Sequence, residues 1–163
     1  MSNFGQFGNA TPDTEKEKAT VVTGFTFSDD DFKDKGSLFD LIPKGRYHFV
    51  VYDCQTGFTK KDNTAMKVIL MDIHHEDGTK TRLTDYLVYK SNQGWKFAHF
   101  LDAIGLHDAI KEKGIGNVDD PLWTTAVGLE GDFEVDNETS EWNGKQTTRN
   151  VIKKYYSPNG KRL

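Results

Sequence analysis

The chain has 163 residues, 36% hydrophobic and 12% aromatic, which is enough apolar side chain for one packed domain and too little length for two comfortable ones. No apolar run approaches the ~18 residues of a membrane-spanning helix, and Met1 to Ala10 lacks the basic-then-apolar pattern of a secretory leader, so the expectation is a soluble, cytoplasmic protein. The net charge of −4 argues weakly against a polyanionic partner, but residues 1–42 hold eight acids and four lysines and account for all of it, leaving residues 43–163 neutral.

Residues 1–20 are mainly Asn, Gly, Thr, Lys and Glu with two isolated phenylalanines, Phe4 and Phe7. Such a stretch buries too little apolar surface to offset chain entropy and is expected to be a disordered tail. Residues 21–42 form the next unit. Val21 to Phe27 has the makings of a short strand, and Ser28 followed by Asp29-Asp30-Asp31 has the form of a capped helix start that Gly36 would stop. Phe25, Phe27, Phe32, Leu38 and Phe39 make this unit a flap suited to pack on the strands that begin after Pro43.

Pro43-Lys44-Gly45 breaks the chain and opens strand one, where Tyr47, Phe49 and Val51 alternate with His48, Val50 and Tyr52. A polar turn, Thr59 to Asn63, leads to strand two, Ala65 to His75, whose middle is apolar on both faces and therefore calls for cover. Asp77-Gly78 is a hairpin signal, and strand three runs from Lys80 to Tyr89. Ser91-Asn92 then caps a helix with Phe97, Phe100, Leu101 and Ile104 on one face, stopped at Gly105 with Leu106 behind it. A looser connection comes next, with a short helical turn around Asp108 to Lys113. Strand four spans Ala126 to Asp136 and strand five Lys145 to Tyr156, joined through Trp142-Asn143-Gly144.

Three strands, a helix and two strands is the element order of an OB-fold. The expected fold class is therefore mostly β: a five-stranded OB-type barrel over residues 43–158, with one α-helix between strands three and four and an N-terminal extension packed on it. An immunoglobulin-type sandwich would need about seven strands, and an RNA-recognition sheet would need its helices elsewhere. Residues 159–163 make a short basic tail. Charge is segregated at the end of the chain: Val127 to Trp142 carries six acids and no base, and Asn143 to Leu163 six bases and no acid.

Catalytic constellations are thin, and no enzyme is expected. His48, His74, His75, His99 and His107 have no ligand spacing, and the one cysteine, Cys54, builds neither a disulfide nor a structural zinc site and has no activating partner. Gly114-Ile115-Gly116 is not followed by a phosphate-binding Lys-Ser or Lys-Thr. The alternating acids from Glu130 to Glu138 read as a solvated strand face opposite the basic fifth strand. No cofactor and no metal are expected.

An OB barrel holds single strands across strands two and three, between the loops joining strands one and two and strands four and five. Here those places offer Lys60 and Lys61 in the first loop, Lys67 on strand two, and Arg82 and Tyr86 on strand three. The last loop carries Trp142 beside Lys145, with Arg149 and Lys153 along strand five. The cations suit phosphates and the two aromatics suit bases. Read one by one, Trp142 fits packing on its own hairpin equally well, and Tyr86 fits the barrel core.

The runs Phe27-Ser28-Asp29, Ile42-Pro43-Lys44-Gly45-Arg46-Tyr47, Ala103-Ile104-Gly105-Leu106, Trp142-Asn143-Gly144-Lys145 and Ile152-Lys153-Lys154-Tyr155-Tyr156 resemble a family of small early-region proteins of phages and prophages. That family is suspected of binding single-stranded DNA and has no agreed catalytic residues. The resemblance covers about Phe25 to Pro158 and implies a sequence-tolerant single-stranded-DNA-binding protein in phage DNA replication or recombination. It implies replication or recombination proteins as partners, with RNA binding and a homo-oligomer left open. The alternative from another class is a protein-interaction module that recruits or inhibits a replication or repair enzyme. Bacterial single-strand-binding proteins end in an acidic tail with a terminal phenylalanine, whereas this sequence ends in basic Lys161-Arg162-Leu163.

Overall fold

The computed structural model describes residues 22–27, 40–160 and 163. The tail 1–20, the helix expected from Ser28 to Gly36 with Phe32, Leu38 and Phe39, and the basic pair Lys161-Arg162 lie outside these residues. Five strands form one antiparallel sheet: β1 (Gly45–Phe58), β2 (Ala65–His74), β3 (Lys80–Val88), β4 (Glu130–Trp142) and β5 (Lys145–Tyr156), in the order β3-β2-β1-β4-β5. Between β3 and β4 the chain makes α1 (Gly94–Ala103), α2 (His107–Lys113) and α3 (Pro121–Ala126).

β1 is the longest strand because it serves two partners. Its first half pairs with β4, from Gly45 opposite Val135 to Val50 opposite Glu130; its second half pairs with β2, ending with Phe58 opposite Ala65. The register slips at Tyr52, between Val51 and Asp53. One extra residue there bends the strand and lets it turn from one partner to the other. The inner face collects Phe49 and Val51 from β1, Ile69 and Met71 from β2, Leu87 from β3, Phe133 and Val135 from β4, and Tyr155 from β5. Phe97, Phe100, Leu101 and Ile104 of the first helix, with Trp123 of α3, complete this core. Phe49 stacks on Phe133 at 4.6 Å between ring centres, and Tyr155 meets Phe49 and Phe100 edge-on.

The first helix ends as expected. Gly105 adopts φ +88°, its amide bonds Asp102 O at 2.9 Å, and the Leu106 amide bonds Leu101 O at 2.9 Å, the paired bonds of a Schellman ending. The helix end then sits directly on β4: a Cβ on Gly131 would lie 2.7 Å from Ala103 O and 3.0 Å from Phe49 Cζ. The sheet curls so that β3 and β5 approach each other. Among the described residues no backbone ladder joins them; Tyr155 Oη instead donates to Asp85 Oδ2 at 2.7 Å, and Lys96 Nζ of α1 stands 3.5 Å from the other carboxylate oxygen.

Several boundaries differ from expectation. Strand one runs on to Phe58, because the bulge renews its pairing with β2. Ala126 is not the start of strand four but the end of α3, a helix capped by the Asp120 side chain with Pro121 in its first turn. β4 extends past Asp136 to Trp142 and pairs with β5 throughout, so the two form an arm whose residues 137–149 are all exposed. Asn143 (φ 54°) and Gly144 (φ 75°) make its two-residue turn, the left-handed pair that such hairpins require. Val22–Phe27 forms no strand; Phe25 and Phe27 are exposed and stack on each other. The chain leading into β1 is anchored at Ile42, which is buried, and whose amide and carbonyl both bond the Asn150 side chain at 2.9 Å. Beyond β5, the Leu163 amide returns to Tyr155 O at 2.9 Å.

Candidate nucleic-acid interface

Where β3 and β5 face each other without a ladder, a cleft of about 300 Å³ opens on the surface. Arg82, Thr84 and Tyr86 form one wall, Thr148, Arg149 and Asn150 the other, and Asp40 and Leu41 close one end. Alternation puts these β3 residues outward: Leu87 and Thr81 are buried, and their even-numbered neighbours point away from the core. Tyr86 is accordingly 50% exposed, which settles it as a surface residue and not barrel core. Trp142 is 77% exposed near the arm tip, with Lys145 opposite it in register, and is not packed on its own hairpin.

The structure thus brings Arg82, Tyr86 and Arg149 into one cleft and puts Trp142 and Lys145 together on the arm that β4 and β5 extend. Arg149 remains 70% exposed at its side chain and bonds Glu138 across the strands at 3.0 Å. Lys60 and Lys61 are exposed in the turn between β1 and β2, which Asp62 organises by accepting from Thr59 and Thr64 and pairing with Lys90 at 2.7 Å. These contacts hold the Asp62 carboxyl well below the usual range. Lys153 is exposed as the extra residue where the β4–β5 register shifts.

Two expected phosphate ligands are occupied within the protein. Lys67 belongs to the inner face with Ile69 and Met71; it is 4% exposed, donates to Thr56 Oγ1 at 3.1 Å and lies 5.8 Å from the Trp123 ring. It does not line the cleft. Arg82 forms a two-bond pair with Asp72, Nε to Oδ1 at 2.7 Å and Nη2 to Oδ2 at 2.9 Å, and its guanidinium lies 3.8 Å over the Tyr52 ring. It positions its neighbours and offers little uncompensated charge.

Among the acids of β4, Glu138 meets Arg149 of β5 as expected, but two others do not face that strand. At the base of the strand Asp132 and Glu130 turn to β1 and not to β5. His48 Nδ1 lies 2.7 Å from Asp132 Oδ1, His48 Nε2 lies 2.6 Å from Glu130 Oε1, and Arg46 Nε bonds Asp132 at 2.9 Å. Both ring nitrogens therefore face oxygens that only accept, the arrangement of an imidazolium, and the Glu130 and Asp132 bonds raise the His48 pKa. Cys54 sits half-buried, its thiol pushed up to about 11 by burial, so its thiolate form is suppressed. Among the described residues no three His, Cys, Asp or Glu side chains converge as a metal-binding group, and no helix is long and apolar enough to cross a membrane.

Sequence reasoning missed Tyr52, which is 53% exposed beside Arg82. Simple alternation cannot locate a bulge, and the extra residue is Tyr52 itself. The chain matches no protein-family model and no curated protein.

Proposed function

We propose that this is a sequence-tolerant single-stranded-DNA-binding protein acting in phage DNA replication or recombination, and that its sheet is an OB-type barrel. The strand order, with β1 between β2 and β4 and with β3 and β5 approaching at the seam, supports the barrel reading. The observation that carries the function is the seam cleft: exposed Tyr86 and exposed Arg149 on facing strands, with Arg82 held by Asp72 between them, beside an arm that exposes Trp142 and Lys145 to solvent. Aromatic faces hold bases of any sequence, and exposed cations hold phosphates. The phage setting rests on the sequence resemblance alone, and no catalytic role is proposed. Titration with an oligo-dT strand, followed by tryptophan fluorescence, tests it: quenching that added salt reverses is expected, and no change at micromolar protein contradicts the proposal.

A second reading, a module that recruits or inhibits a replication or repair enzyme, draws on the helical side of the molecule. An apolar cleft of about 390 Å³ opens there, lined by Phe97, Leu101, Ile110 and Ile115, and the same helix exposes Trp95, whose ring meets His99 edge-on. Capture of a replication protein by a chain that ignores DNA would favour it.

A further inference from the structure

Resting on the single-strand reading, we infer that the binding path continues from the seam cleft across the outer face of β3, β2 and β1, with Tyr52 as a second base-stacking residue. Val68 and Leu70 of β2, and Thr84 of β3, form the centre of this face, half-buried and without charge. Tyr86 stands on one side of this patch, on β3 opposite Val68, and Tyr52 on the other, at the β1 bulge. Gly57 keeps the β1 edge of the patch low: a Cβ there would lie 3.2 Å from both Met66 Cε and Val68 Cγ2.

The chemistry of the face selects its occupant. Val68, Leu70 and Thr84 cannot replace the water around a phosphate, and the Asp53 carboxylate, on β1 opposite Leu70 and held by the Cys54 amide and the Gln55 side chain, repels one; the apolar centre can instead cover the faces of unpaired bases. Cations lie at the ends of the path and not in its middle: Lys60 and Lys61 in the turn after β1, Arg149 across the seam. Arg82 is the hinge between cleft and face. Asp72 fixes its guanidinium, which lies 3.8 Å over the Tyr52 ring and holds it in place while the residue stays 53% exposed, so the ring is ordered before a base arrives. A duplex, whose bases are already stacked and paired, has nothing to lay on this surface.

The test compares the full-length protein with Tyr52→Ala and Tyr52→Phe, measuring oligo-dT affinity at several salt concentrations and the melting temperature of each. Tyr52→Ala is expected to weaken binding by about fivefold to a hundredfold with the slope of log affinity against log salt unchanged, and Tyr52→Phe to retain most of the affinity. A slope reduced by about one would make Tyr52 a phosphate-positioning residue and overturn the inference. Unchanged affinity with a lowered melting temperature would make the face a packing surface for the chain itself, and overturn it as well. Tight binding by the wild type that Tyr52→Ala matches removes this inference alone; no binding by the wild type removes the single-strand reading with it.

Discussion

Trp142 and His48 show how much one side chain's setting decides. Burying Trp142 would recover the free energy its exposure forgoes, yet the arm holds it out on a two-residue turn. If it stacks on a base, Trp142→Ala weakens oligo-dT binding by about 1–3 kcal/mol and leaves the melting temperature unchanged; equal affinity for variant and wild type would reduce it to an arm residue without a ligand. His48 makes a prediction about pH. Its folded pKa lies above the ordinary 6.5, raised by bonds to Glu130 and Asp132. Its contribution to stability is therefore fully present below pH 6.5 and is lost as the pH climbs through the raised folded value. His48→Asn should lower the melting temperature at pH 6 and have a smaller effect at pH 9; a deficit that stays constant across that range would mean that the imidazolium pair is energetically idle.

At the scale of elements, the seam is the most vulnerable junction. β3 and β5 approach through the buried Tyr155 hydroxyl and Asp85, a bond from a neutral donor to an ionised acceptor. Removing that hydroxyl by Tyr155→Phe is expected to cost about 1.5–3 kcal/mol of unfolding free energy, measured by urea denaturation, and to speed amide exchange along β3. A loss below about 0.5 kcal/mol, the scatter typical of surface substitutions, would show that the helices hold the seam without it. Much of the element plan was legible: an apolar run gave β2, alternation gave β3, Asp77-Gly78 their hairpin, and Gly105 the stop of α1. α3 was also written in the sequence, as Asp120 before Pro121, but its six residues are too few for a periodic signal. The arm was underestimated because Glu138 to Glu141 alternates no apolar residues; its strand character comes from pairing with β5, which is a tertiary fact.

For the molecule as a whole, net charge is a poor guide to partners. The acids of β4 are partly spent on His48, Arg46 and Arg149, while Lys145 of the arm and Lys60 and Lys61 of the β1–β2 turn stay in solvent. Spacing along the sequence gathered Lys67 and Arg82 with the other cations because β2 is apolar on both faces, so its pattern does not mark the inner one, and because it cannot see that Asp72 sits opposite Arg82. Tyr52 looked like an ordinary alternating strand residue because spacing cannot see the β1 bulge. The proposed interface is weighted toward aromatic faces and a few exposed cations, a combination that suits single strands better than duplexes. The most direct test is the anisotropy of a labelled dT oligonucleotide and of a duplex of equal length, each titrated with the full chain at low and physiological salt. Single-strand binding in the micromolar range or tighter is expected, weakened by salt, with the duplex bound far less well. Equal binding of the two, or none to the single strand at low salt, would contradict a single-strand interface.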